Sequence, residues 1–193
     1  PTLNKADRWR SAKRCLGDAT FKTIQEAKVL VIGAGGIGCE LLKNLVLSGF
    51  KYVEIVDLDT IDISNLNRQF LFRRKHVGQP KSVVARESAL LYTADDSECR
   101  IEAHHDDVKT LKYGPEFVKQ FDIVLNALDN MSARRHVGRV CWSAGVPYVE
   151  SGTAGWFGQV QPFIPGKTGC YECEEKIPPA TFPVCTIRST PSK

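Results

Sequence analysis

The stretch AKVLVIGAGGIGCELLKNLVLSGF, Ala27 to Phe50, decides the fold. It opens with a short apolar run, Ala27 to Ile32, of the kind that forms a strand buried on both faces. A glycine loop follows at once: Gly33-Ala34-Gly35-Gly36-Ile37-Gly38. Beyond it Leu41, Leu42, Leu45 and Val46 recur at helical spacing, and Gly49 stands just past the end as a stop. Tyr52 to Val56 reads as a second strand and ends in Asp57-Leu58-Asp59. Strand, glycine turn, helix and strand make one βαβ unit.

Gly33, Gly35 and Gly38 fit G-x-G-x-x-G. In a Rossmann-type unit the first glycine allows a tight turn and the second lets backbone approach phosphate. The third lets helix and strand pack closely. The helix start then offers free N–H groups and a positive dipole end to an anion. Asp57 stands about 20 residues on, where a carboxylate meets a ribose hydroxyl in this fold. The loop, Gly36 included, is therefore the candidate nucleotide cradle. A glycine-rich turn without a ligand is the bland alternative, and the strand, helix and acid in their places argue against it.

Outward from this unit the alternation continues. Residues 1–26 read as a polar, helical N-terminal arm. Ser82 to Leu91 reads as a helix, Arg100 to His105 as a strand, and Val108 to Phe121 as a helix interrupted at Gly114-Pro115. Asp122 to Leu128 is a fourth strand, Ser132 to Ala144 a helix, and Pro147 to Glu150 a fifth strand. The expected fold is α/β: a Rossmann-like, mostly parallel sheet with helices on both faces and right-handed crossovers. Trp156 to Ile164 looks like an antiparallel extension. Six of the ten prolines lie at or after Pro162, so regular structure is expected to give way there. The expected division is an arm (1–26), a nucleotide-binding domain (27–165) and an irregular crossover tail (166–193), cut short.

With 193 residues, 42% hydrophobic and 25% charged, the chain suits one ordinary globular domain, or one and part of another. The net charge of +4 is mild and its basic residues are spread out, which speaks against a nucleic-acid partner. No apolar run reaches the roughly 18 residues of a membrane helix, and the polar N-terminus has no apolar signal core. Nucleus and cytoplasm are the expected compartments. Seven cysteines, odd in number and mostly scattered, fit a reducing compartment better than a disulfide framework. Cys15, Cys39, Cys99 and Cys141 read as packing residues.

Chemistry beyond the glycine loop gathers in Ser64-Asn65-Leu66-Asn67-Arg68-Gln69-Phe70. A dehydrogenase has no obvious use for two amides and an arginine here, whereas a nucleoside triphosphate calls for charge-assisted donors and Arg offers a planar fork. Lys81, opening the next helix, adds a point charge. These residues and Asp129-Asn130 would lie at the carboxyl edge of the strands, where ligands bind in open α/β sheets. A carboxylate at Asp129 can hold Mg²⁺ between phosphates. Helix capping is the alternative role for Asp129 or Asn130. Arg73-Arg74-Lys75 reads as a solvated basic loop, and the four histidines have no metal-ligand spacing.

Cys170-Tyr171-Glu172-Cys173 is C-x-x-C, half of a tetrahedral zinc site. A thioredoxin-like redox pair fits less well, because that motif opens a helix and this one follows Pro165-Gly166. No second C-x-x-C is present, so the zinc ligands in this chain are incomplete. From composition alone, Cys185 is a buried structural thiol.

The runs VLVIGAGGIGCELLKNLVLSGF, DLDTIDISNLNRQFLFRRKHVGQPK, NALDN and ESGTAGWFGQV together resemble the activating enzymes of ubiquitin and its relatives, the SUMO-activating type above all. The resemblance covers roughly residues 26 to 193. It implies a domain that binds Mg-ATP and adenylates the C-terminal glycine of a SUMO-like protein. It implies that the glycine loop and Asp57 hold the nucleotide, that Asn65, Arg68 and Lys81 contact phosphates, and that Asp129 binds Mg²⁺. It gives Cys185, in a P-x-C-T context after the C-x-x-C pair, the role of catalytic cysteine. That thiolate would take the acyl group as a thioester and pass it to a conjugating enzyme. It also implies a second subunit. Two rivals stand beside it. A Rossmann oxidoreductase would bind NAD and leave Asn65 to Gln69 and Cys185 without work. A non-catalytic interaction module would have kept the fold and lost the chemistry. Within the resemblance, a cullin-modifier or ubiquitin-activating enzyme is the nearest alternative.

Overall fold

The structure is a computed structural model that describes residues 8–93, 99–154 and 157–173. Six strands form one sheet in the order β3-β2-β1-β4-β5-β6. They are β1 (Lys28–Ile32), β2 (Tyr52–Val56), β3 (Arg100–His104), β4 (Ile123–Asn126), β5 (Tyr148–Ala154) and β6 (Phe157–Phe163). The first five run parallel, and β6 pairs antiparallel to β5. This is the doubly wound, Rossmann-like sheet with an antiparallel extension that the pattern predicts.

Side chains alternate across a strand, and β1 shows how that builds two cores. Val29 and Val31 face one side, with Val53 and Ile55 of β2, against Cys39, Leu42, Leu45 and Val46 of helix α3 (Gly36–Ser48) and Val84, Ala85 and Ala89 of α4 (Lys81–Leu90). Leu30 and Ile32 face the other, with Val124 of β4, Val137 and Cys141 of α6 (Met131–Ala144), and Tyr148 and Phe163. Val29 to Ile32 are all at most 1% exposed, so a polar residue at any of these four positions would lose its water without a partner.

The N-terminal arm is two helices, α1 (Arg10–Leu16) and α2 (Asp18–Glu26), parted at Gly17. The sequence made this arm merely polar. In fact Phe21 is 1% exposed and Trp9 donates to the Leu47 carbonyl at 3.2 Å, which docks the arm on the end of α3.

Two expectations are corrected. The segment 108–121 is no interrupted long helix: it holds a 3-10 turn at Leu111–Tyr113 and the single turn α5 (Pro115–Val118). Pro115 forces Gly114 into extended backbone, and Tyr113, Val118 and Phe121 reach the core from separate turns. Strand β5 runs past Glu150 to Ala154, because β6 pairs with its whole length from Tyr148 to Ala154. Among the described residues no helix is long and apolar enough to cross a membrane.

Candidate nucleotide site

Strand order reverses at β1, which has β2 on one side and β4 on the other. The loops after β1 and β4 leave the sheet in different directions, and ligands of open α/β sheets bind in the crevice this opens. The glycine loop lies there. Gly33 has φ +99°, and a Cβ on it would stand 2.7 Å from the Ala127 carbonyl oxygen beyond β4. A Cβ on Gly38 would meet the Gly33 carbonyl oxygen at 2.0 Å. A Cβ on Gly35, by contrast, would have nothing within 4 Å. Two glycines thus close the turn on itself and on β4, and the third leaves its outer side open.

Helix α3 starts from this loop with Gly35 as N-cap, no side-chain cap and no acidic residue in its first turn. Its leading N–H groups and dipole are left for an anion, so the residues present fit a nucleotide phosphate. Asp57 braces the loop from β2: its Oδ2 accepts from Ala34 N at 2.6 Å and its Oδ1 from Asp59 N at 2.7 Å. Burial raises the Asp57 carboxyl above its ordinary value, and the two amides pull the other way.

The other predicted residues converge on the same side. Asn65 ends a 3-10 turn (Ile63–Asn65), is 9% exposed, and accepts from Asp62 N through Oδ1 at 2.9 Å. Arg68 is exposed and donates to the Ser64 carbonyl at 3.1 Å and to Asn67 Oδ1 at 3.2 Å. The first turn of α3 lies beside it: a Cβ on Gly36 would stand 3.7 Å from the Arg68 carbonyl oxygen. Lys81 opens α4 and is 7% exposed, with its Nζ on Asp59 Oδ2 at 2.8 Å. Asp59 is a partner that reading for basic residues passed over. The signal was present as the second acid of Asp57-Leu58-Asp59 at a strand end. At the β4–α6 turn the two proposed roles are divided. Asn130 caps α6, accepting from Ala133 N at 2.8 Å, and the neighbouring Asp129 is exposed and free to meet a cation.

Cys170 and Cys173 come together, with Sγ atoms 2.9 Å apart at the surface. The hydrogen bond from Cys173 holds the Cys170 thiol below its ordinary value. Two thiols are the ligand type of half a tetrahedral zinc site, and at ordinary Zn–S lengths they would part to about 3.8 Å to share an ion. The described residues bring three potential ligands together only at Glu54, Glu102 and His104. His104 Nε2 lies 2.8 Å from Glu54 Oε2, a grouping across β2 and β3 that histidine spacing along the chain did not reveal. Cys39, Cys99 and Cys141 are buried as expected, and burial pushes Cys39 and Cys141 up to about 12. Cys15, expected as a packing residue, is instead exposed, because α1 buries none of its residues. Trp156 and Cys185 lie outside the described residues.

The ThiF family pattern matches residues 10–192. The chain belongs to the ThiF family. Among its relatives, SUMO-activating enzyme subunit 2 of Dictyostelium discoideum is 58% identical over 187 residues, 97% of this chain and 28% of that protein. SUMO-activating enzyme subunit uba-2 of Caenorhabditis elegans is 52% identical over 171 residues, 88% of this chain and 29% of that protein. This ThiF chain therefore spans under a third of the length of both relatives. Its fold is similar to a crystal structure of E. coli MccB with AMPCPP and selenomethionine MccA. The TM-score is 0.77 and the identity 27%, over 91% of this chain and 52% of that one.

Proposed function

We propose that this ThiF chain is the nucleotide-binding part of a SUMO-type activating enzyme. The reading is carried by one observation: an uncapped helix start, a braced glycine loop, Asn65, Arg68, Lys81 and Asp129 all stand on the strand edge where the sheet order reverses. A set of donors without a general base suits a reaction that needs positioning and charge neutralisation. The C-terminal carboxylate of a SUMO-like protein attacks the α-phosphate of ATP. The bond to the leaving pyrophosphate breaks, and an acyl-adenylate forms. The loop amides hold the phosphates in line, and Arg68 and Lys81 offset their charge. Asp129 would hold Mg²⁺, which would supply charge neutralisation to the phosphates. Cys185 then attacks the acyl carbon as thiolate, AMP leaves, and the thioester passes to a cysteine of a conjugating enzyme. A second subunit completes the enzyme, Cys170 and Cys173 supply two ligands of a structural zinc site, and the enzyme works in nucleus and cytoplasm.

The deciding experiment is ATP–pyrophosphate exchange by the complete enzyme, offered several ubiquitin-like proteins in turn. Exchange with a SUMO-like protein and little with the others is expected. Tight NAD binding with weak ATP binding would overturn the reading. Cys185→Ala should keep pyrophosphate exchange and lose the reducible thioester seen on a non-reducing gel. A thioester surviving in that variant removes Cys185 from its role.

A further inference from the structure

Behind the turn that carries Asp129 lies a buried ionic network that the chemistry above leaves unused. Asn126, fully buried at the end of β4, donates through Nδ2 to Glu150 Oε2 at 2.6 Å. Glu150, 3% exposed on β5, also accepts from Arg134 Nη1. The second arm of that guanidinium, Nη2, donates to the Leu128 carbonyl, one residue before Asp129. Ser151 Oγ donates to the Asn126 carbonyl at 2.7 Å, tying the same two strands again. Space for the guanidinium is kept by Gly152, where a Cβ would stand 3.2 Å from Nη2 and 3.3 Å from Nη1.

A buried pair of this kind is a poor device for stability alone. Taking both charges out of water costs about as much as their attraction returns, and an apolar pair of similar volume often does as well. A planar fork does offer something an apolar pair lacks: two donors at fixed geometry, here reaching two separate elements. One arm is held by a strand and the other holds a turn. That turn is Ala127 to Asn130. Its first residue presses on Gly33, and its third is Asp129.

We propose that Arg134 is a positioning residue for the nucleotide site: anchored by Glu150, it fixes the Leu128 carbonyl and so sets the backbone from which Asp129 projects. This rests on the assignment of Asp129 to Mg²⁺. Partners behind a metal ligand commonly change metal affinity by about 10- to 100-fold when removed.

Two variants test it in the complete enzyme. Arg134→Lys keeps the charge but offers no fork to span Glu150 and Leu128. Arg134→Met combined with Glu150→Gln leaves no unpaired buried charge, which guards against simple misfolding. Without any nucleotide, the amides of residues 127–131 should exchange with deuterium about tenfold faster in both variants, with β1 and β2 unchanged. The Mg²⁺ concentration needed for half-maximal ATP binding should rise about tenfold, while binding measured in EDTA stays as in wild type. A lower melting temperature with faster exchange throughout the sheet and an unchanged Mg²⁺ requirement overturns the proposal, because the network would then be structural only. If the wild type binds Mg-ATP but exchanges no pyrophosphate with any ubiquitin-like protein, the functional reading falls. The Mg²⁺ titration still decides the role of Arg134.

Discussion

Gly38 and Gly35 sit three residues apart in one loop and should fail for opposite reasons. A Cβ on Gly38 would press into the Gly33 carbonyl at 2.0 Å, and that carbonyl is backbone that cannot swing aside. Gly38→Ala is expected to cost roughly 1–3 kcal/mol in overpacking and to lose ATP binding with it. A Cβ on Gly35 would meet nothing within 4 Å. Gly35→Ala should therefore melt at the wild-type temperature and still bind ATP at least about tenfold more weakly, because the open side is where phosphate must approach. Calorimetric titration with ATP beside thermal melts reads both effects. Undiminished ATP affinity in Gly35→Ala would take the phosphates away from this loop. The G-x-G-x-x-G spacing announces all three glycines alike. Gly38 is confined by the Gly33 carbonyl in its own loop, whereas the packing role of Gly33 depends on Ala127, which approaches from just beyond β4, far along the chain.

Helix α6 shows the same division among elements. Its periodicity from Ser132 to Ala144 is plain in the sequence, and its start at Asn130 follows from the capping preference of that residue type. Asn130→Ala should lower stability by about 1 kcal/mol, read as a lower urea midpoint at unchanged slope. An unaltered midpoint would mean that the bond to Ala133 N contributes nothing net. Strand β5 and the segment 108–121 were less legible. Length in β5 comes from pairing with β6, a partner no local pattern names. In 108–121 the apolar spacing resembles a helix, but Pro115 and the separate anchoring of Tyr113, Val118 and Phe121 divide it into short turns.

At the scale of the whole molecule, burial makes stability depend on pH, through Glu150 as well as through Asp57. Burial pushes Glu150 up from 4.5 to about 7, against the opposing pull of Arg134, the Asn126 side chain and the Ser151 amide. Cys141 of α6 also faces it across the core, and Tyr148 lies on its own strand. Between these two values the folded chain binds a proton that the unfolded chain has released. Stability therefore falls as pH rises from about 4.5 to about 7 and is flat above, with a slope of at most about 1.4 kcal/mol per pH unit from this group. Glu150→Gln should flatten that part of the profile. Urea midpoints measured from about pH 5 to about pH 8 check it, and an identical slope in the variant would show that another group titrates.

By itself the sequence determined the βαβ unit, the parallel sheet and the residue types of the candidate nucleotide site, because each is written in spacings of a few residues: apolar runs, helical periods, glycine turns and caps. Only the tertiary structure decided how those residues are partnered. Lys81 meets Asp59 across 22 residues, Arg134 meets Glu150 across 16, and His104 meets Glu54 across 50. The last of these contacts depends directly on which strands lie side by side, and the other two on how the turns and helices between the strands fold back on them. Strand order in turn follows from burying both faces of β1 at once, a condition that belongs to the packed chain and to no single stretch of it.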